Sequence, residues 1–99
     1  MKDRALLAVV RLHRAEILEM AQRNGMKNIR IFGSVARGDD KIDSDIDILV
    51  EVEFGKSLFD LVGFGIEVED LLRRRADVVS QRGLSPYLKD QILKEAIGL

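Results

Sequence analysis

Six residues in the first half of the chain have types and spacing suited to gripping a polyphosphate: Gly33, Ser34, Gly38, Ser44, Asp45 and Asp47. The two aspartates lie two positions apart in an apolar run, so on a strand both carboxylates project one way, with Cα atoms roughly 6.5 Å apart. A divalent cation can bridge that gap. Two carboxylates buried together without counter-charge would be strongly unfavourable, so their face either meets water or carries a cation. Oxygen donors favour Mg²⁺ or Mn²⁺ over zinc, and Mg²⁺ also ligates nucleotide phosphates. At the other end of the motif, Gly33 lets the backbone approach a phosphate while the Ser34 hydroxyl and the amides after it donate to its oxygens. Arg37 offers a fork of donors to a β or γ phosphate. Gly38 lets the chain turn back toward Asp45.

Those residues need rigid elements to bring them together. Leu6, Val10, Ile17, Met20 and Ala21 recur at helical spacing and predict a helix from about Asp3 to Asn24, ended by Gly25 as a left-handed cap. Ile29 to Phe32 reads as a short buried strand that stops at Gly33. After a polar loop from Gly38 to Ser44, alternation from Asp45 to Val52 puts Ile46, Ile48, Val50 and Val52 on one face. Asp45, Asp47 and Leu49 share the other, and Leu49 implies that this second face is partly covered. Ser57 with Asp60 three positions on forms a capping-box pattern, opening a helix to about Arg74. Gly63 and Gly65 weaken that helix by roughly 1 kcal/mol each relative to Ala. Ala76 to Ser80 reads as a strand and Gln81 to Gly83 as a turn. Ser85 caps and Pro86 opens a last helix whose apolar residues are Leu88, Ile92, Leu93, Ala96 and Ile97. The order helix, strand, strand, helix, strand, helix predicts an α/β (α+β) fold, with helices packed on a small mixed sheet.

Composition narrows the chemistry. The 99 residues fit one domain, 1–99, able to bury one core, and 46 % hydrophobic with 33 % charged residues is an ordinary globular balance. Sixteen basic and 17 acidic residues leave a net charge of −1, so no global field draws the protein to nucleic acid or to an anionic membrane. Without cysteine and with one histidine there is no thiolate or imidazole metal site. The apolar run Ala5 to Val10 is broken at once by Arg11, His13, Arg14 and Glu16, and no stretch approaches the roughly 18 to 20 residues that cross a bilayer. A cytoplasmic protein is expected.

The Gly-Ser, Arg-Gly and Ser-Asp-Ile-Asp elements, at these spacings, resemble the polymerase-β-type nucleotidyltransferase superfamily, and the short length resembles its minimal (MNT) branch. The resemblance spans nearly the whole chain. It implies the polymerase-β-like nucleotidyltransferase fold and transfer of AMP from ATP, pyrophosphate leaving, by a mechanism using two Mg²⁺ ions. It also implies a third carboxylate on a later strand, where Asp77 stands, so that Asp45, Asp47 and Asp77 are the catalytic and metal-holding set. Gly33, Ser34, Arg37 and Ser44 would meet the nucleotide. The family further implies an antitoxin that adenylylates a tyrosine of a HEPN-domain ribonuclease toxin, in a hetero-oligomer.

Plainer readings compete residue by residue. Asp39, Asp40 and Asp43 are turn-forming or solvated; Arg73 to Arg75 compensate a helix dipole; His13 packs on its helix stripe; Lys56 and Lys89 are undecided. Two other functions share the motif. One is a binding antitoxin that neutralises its partner by contact alone; the other is nucleotidyl transfer to a small molecule, whose enzymes generally carry an added helical domain.

Overall fold

Between Ile46 and Val52 the alternating side chains sort as their hydrophobicity demands, with Ile46, Ile48 and Val50 at most 1 % exposed. This strand is β2 in a computed structural model that describes residues 6–99. Around it are helices α1 (Leu6–Leu12) and α2 (Arg14–Asn24), strand β1 (Met26–Phe32), a short helix α3 (Gly33–Arg37), helix α4 (Leu58–Leu72) and strand β3 (Ala76–Ser80). A 3₁₀ turn (Gln81–Gly83) leads to helix α5 (Pro86–Glu95) and strand β4 (Ile97–Gly98).

The four strands form one mixed sheet in the order β3-β2-β1-β4. β1 runs antiparallel to both β2 and β4, whereas β2 and β3 are parallel. A parallel pair needs a crossover, and α4 supplies it. The fold is therefore α/β with helices on a small mixed sheet, as the polymerase-β-like pattern implies. Its core joins Val10, Ile17 and Ala21 of the first two helices to Ile29 and Ile31 of β1, Val35 of α3, and Phe64 and Val68 of α4. Leu49, on the opposite face of β2, is also fully buried.

Local signals account for α4. The Ser57 hydroxyl accepts the Phe59 N–H at 3.2 Å while the Asp60 carboxylate accepts the Ser57 N–H at 2.9 Å, which satisfies two orphan donors of the first turn. Gly65 has a packing reason: a Cβ there would stand 3.3 Å from Val78 Cγ2, so its absence lets α4 close on β3. Phe64 is completely buried. Phe64→Ala should cost about 3–5 kcal/mol of unfolding free energy, read from denaturant midpoints; a loss under about 1 kcal/mol would show that the core does not depend on α4.

Four boundaries differ from the sequence pattern. The single helix predicted from Asp3 to Asn24 is interrupted at His13, although the Ile17 N–H still reaches the His13 carbonyl at 3.0 Å; Asp3 to Ala5 lie outside the described residues. His13 is half-buried and sits 2.8 Å from Glu16 Oε1. β1 begins at Met26 rather than Ile29, because a register irregularity between Lys27 and Arg30 breaks the alternation. Within it Asn28 adopts φ 52° and donates its amide to Glu51 at 2.8 Å. Asp45 precedes β2 instead of belonging to it. The last helix stops at Glu95, and Ile97 pairs with Ile31 in β4. Among the described residues no helix is long and apolar enough to cross a membrane.

Candidate active site

Strand register brings the distant parts of the motif together. Asp47 pairs with Phe32 on one side and with Asp77 on the other, so one β2 residue touches both the strand that delivers Gly33 and the strand that delivers the third carboxylate. Adjacent strands lie about 4.8 Å apart, a separation at which paired side chains interact. Gly33 takes φ +73°, a conformation that favours glycine, and a Cβ added there would collide with Asp47 Oδ2. The phosphate-type turn thus presses directly on the central carboxylate.

Electrostatics agree with that geometry. Burial pushes the half-buried Asp47 carboxyl above its ordinary value, and Asp77 and then Asp45 push it further; Arg37 opposes them and Glu95 adds to the rise. Asp45 and Asp77 are exposed. Asp45 has a cationic neighbour, its Oδ1 lying 3.8 Å from Arg75 Nε. Among the described residues no three ligating side chains converge closely enough to enclose a metal ion as they stand. The donor set nevertheless suits a hard cation: all are carboxylate oxygens, and the mutual repulsion at Asp47 is what a bound divalent ion would relieve.

Arg37, at the end of α3, is held by carboxylates. Its Nη1 donates to Glu95 Oε1 and Oε2 at 3.1 and 3.3 Å, and its Nε donates to Asp39 at 3.3 Å. Gly38 then turns the chain with φ +80°. Ser34 is half-buried, and its carbonyl accepts the Asp39 N–H at 3.0 Å. Ser44, expected at the nucleotide, has its hydroxyl engaged within its own loop, where it accepts the Lys41 N–H at 2.7 Å. Its carbonyl accepts Arg74 Nη2 at 2.6 Å.

Two contributions escape the sequence reading. The Arg73 to Arg75 run is more than a solvated helix end: Arg73 closes α4 at φ 57°, Arg74 ties down Ser44, and the Arg75 carbonyl accepts the Ile46 N–H at 2.9 Å. These bonds hold the loop from which Asp45 projects. The second is Glu95, whose Oε2 accepts the Gly33 N–H at 3.1 Å. Nothing local marks that glutamate, since the contact spans 62 positions.

The nucleotidyltransferase domain family matches residues 14–99. The chain belongs to that family. A Methanocaldococcus jannaschii protein provisionally named a protein adenylyltransferase is 46 % identical over 82 residues, covering 83 % of this chain and 88 % of that one. A solved structure provisionally described as a minimal nucleotidyltransferase has a TM-score of 0.87 and 45 % identity, over 94 % of this chain and 95 % of the other. A tri-AMPylated HEPN toxin from Shewanella oneidensis in complex with an MNT antitoxin matches with a TM-score of 0.67 over 89 % of this chain and 69 % of that chain. At 21 % identity that likeness is one of fold.

Proposed function

We propose that this nucleotidyltransferase moves AMP from ATP to a tyrosine of a HEPN-domain ribonuclease toxin, with which it forms a hetero-oligomer, and so acts as an antitoxin. The tyrosine hydroxyl oxygen attacks the α-phosphorus, the bond to the bridging oxygen of the β-phosphate breaks, and pyrophosphate leaves. The observation that carries this reading is the pairing of Asp47 with both Phe32 and Asp77, which sets the phosphate turn beside the carboxylates. The names borne by the methanogen relative and by the AMPylated toxin complex support the acceptor class. A net charge of −1 favours a protein acceptor over nucleic acid, and dependence on ATP suits the cytoplasm.

Each residue then has a task. Asp45, Asp47 and Asp77 would hold two Mg²⁺ ions, with Mn²⁺ as a substitute; when bound, the ions stabilise charge on the entering and leaving oxygens. The Gly33 and Ser34 backbone and the Ser34 hydroxyl would hold the triphosphate, and the Arg37 fork would take its outer phosphates. Ser44 braces the loop that carries Asp45. Asp77, exposed on β3, which among the described residues is an edge strand, is open to a protein substrate and would accept the proton from the tyrosine hydroxyl.

The test uses ATP labelled at the α-phosphate, Mg²⁺ and a HEPN-domain toxin, with the labelled residue mapped by mass spectrometry. Label on a tyrosine is the expected result; a toxin neutralised without label supports contact alone, and label confined to small molecules refutes the protein acceptor. Asp77→Asn should slow turnover by about a hundredfold or more while ATP affinity stays within about threefold, a shift of under 1 kcal/mol. Unchanged turnover would remove Asp77 from proton transfer.

A further inference from the structure

Two of the donors assigned above to the triphosphate are already occupied by a carboxylate of this chain. Glu95 Oε2 accepts the Gly33 N–H at 3.1 Å, and both its oxygens accept Arg37 Nη1 at 3.1 and 3.3 Å. A carboxylate held by a backbone N–H and a guanidinium makes the contacts that a phosphate oxygen pair would make. Its carrier is lightly anchored. Glu95 is the last residue of α5, a helix in which no residue is fully buried, and Ala96 after it is already extended. β4, which follows, pairs with β1 at Arg30 with Gly98 and at Ile31 with Ile97, and the Leu99 N–H after it donates to the Ile29 carbonyl at 2.9 Å. The Glu95 carboxylate can therefore leave its donors while these backbone bonds stay in place, and no fully buried residue of α5 has to move with it.

We propose that Glu95 is a built-in phosphate surrogate that fills the outer-phosphate subsite of the free protein and is displaced by the triphosphate of ATP. The proposal rests on the nucleotide site described under the proposed function and adds a selectivity device to it. In the free protein the surrogate keeps Gly33 and Arg37 in their binding geometry and prevents two strong donors from standing unpaired. Once displaced, Glu95 faces the triphosphate as a like charge, so the end of α5 moves away from the site. Only a ligand with enough phosphate charge to win both donors completes that exchange. AMP, whose single phosphate lies at the reacting position, leaves the surrogate in place. The device thus discriminates ATP from nucleotides without outer phosphates, and Glu95 regains the donors when pyrophosphate departs.

Calorimetry on the full chain tests this with three probes: ATP in the presence of Ca²⁺, inorganic tripolyphosphate, and AMP. Glu95→Gln keeps the shape and removes the charge; Glu95→Ala removes the competitor. Both should bind ATP and tripolyphosphate about tenfold more tightly than the parent chain, the scale of a charge-assisted bond reduced to a neutral one. AMP affinity should be unchanged. Hydrogen exchange of the α5 amides should rise on adding ATP to the parent chain, and thermal unfolding of each variant confirms that it folds. If neither variant binds tripolyphosphate more tightly, or if AMP gains as much as ATP, Glu95 is a support for Arg37 and the surrogate idea falls. If the variants tighten on tripolyphosphate while no protein becomes labelled in the transfer assay, the surrogate stands and the proposed acceptor falls.

Discussion

Asp47→Asn is expected to abolish AMP transfer while raising the thermal stability of the metal-free protein. Both effects have one origin. Asp47 is the half-buried member of a set that includes Asp77, its partner in strand register, with Asp45 and Glu95 acting on the same carboxyl. Burial first, then Asp77 and Asp45, raise its pKa above the ordinary 3.8, so the ionised form is disfavoured in the folded chain relative to the unfolded one. The sign follows from linkage: the stabilising contribution of Asp47 is complete below pH 3.8 and is lost as pH rises through the raised folded value. At neutral pH the carboxylate destabilises the fold.

Asparagine keeps the shape and removes the charge. In EDTA at pH 7 the Asp47→Asn protein should melt a few degrees above the parent chain, and the difference should close as the pH falls below 3.8. Mg²⁺ should then raise the melting temperature of the parent chain more than that of the variant, because a cation relieves the same repulsion. Transfer should fall by roughly a thousandfold or more, the scale of lost charge stabilisation at a reacting phosphate. A variant that melts lower than the parent in EDTA at pH 7 would show Asp47 to be structurally satisfied, and undiminished transfer would exclude it from the site.

Which parts of this site could be read from the residues follows from the range over which each interaction acts. Period-two alternation around Ile46, Ile48 and Val50 is local, so the face carrying Asp47 was legible; so were the Ser57–Asp60 cap and the Ser85–Pro86 helix start. The pairing of Asp47 with Asp77 was not. It is set by how α4 carries the chain from β2 to β3, and without the family resemblance Asp77 reads as a solvated strand residue. Asp45 shows a subtler limit: alternation extends through it, yet the Arg75 carbonyl takes the Ile46 N–H and the ladder begins one residue later. Glu95 and β4 lie beyond local pattern altogether. A charged residue in a last helical turn looks solvated, and Ile97 continues the helical stripe until pairing with Ile31 overrides it.

Gly33→Ala tests whether the turn and the carboxylates act on one phosphate. Two costs arise at that position and a control can separate them. The first is conformational: φ +73° is strained for any residue with a Cβ, at about 1–2 kcal/mol. The second is steric: the new Cβ would collide with Asp47 Oδ2 and lie 3.2 Å from its Cγ, so Asp47 must turn away. Gly55→Ala carries the first cost alone, because Gly55 has φ +88° with nothing within 4 Å of the added Cβ. Gly55→Ala should therefore lose about 1–2 kcal/mol of stability and Gly33→Ala more than that, whereas only Gly33→Ala should lose transfer, by about a hundredfold or more, as a small misplacement of reacting groups does. ATP affinity should fall with it: alanine keeps the backbone N–H, but relieving strain and collision shifts that assigned phosphate donor from its position. Equal activity in the two variants would mean that backbone strain is the only consequence at Gly33, and that Asp47 need not sit against the turn for AMP to be transferred.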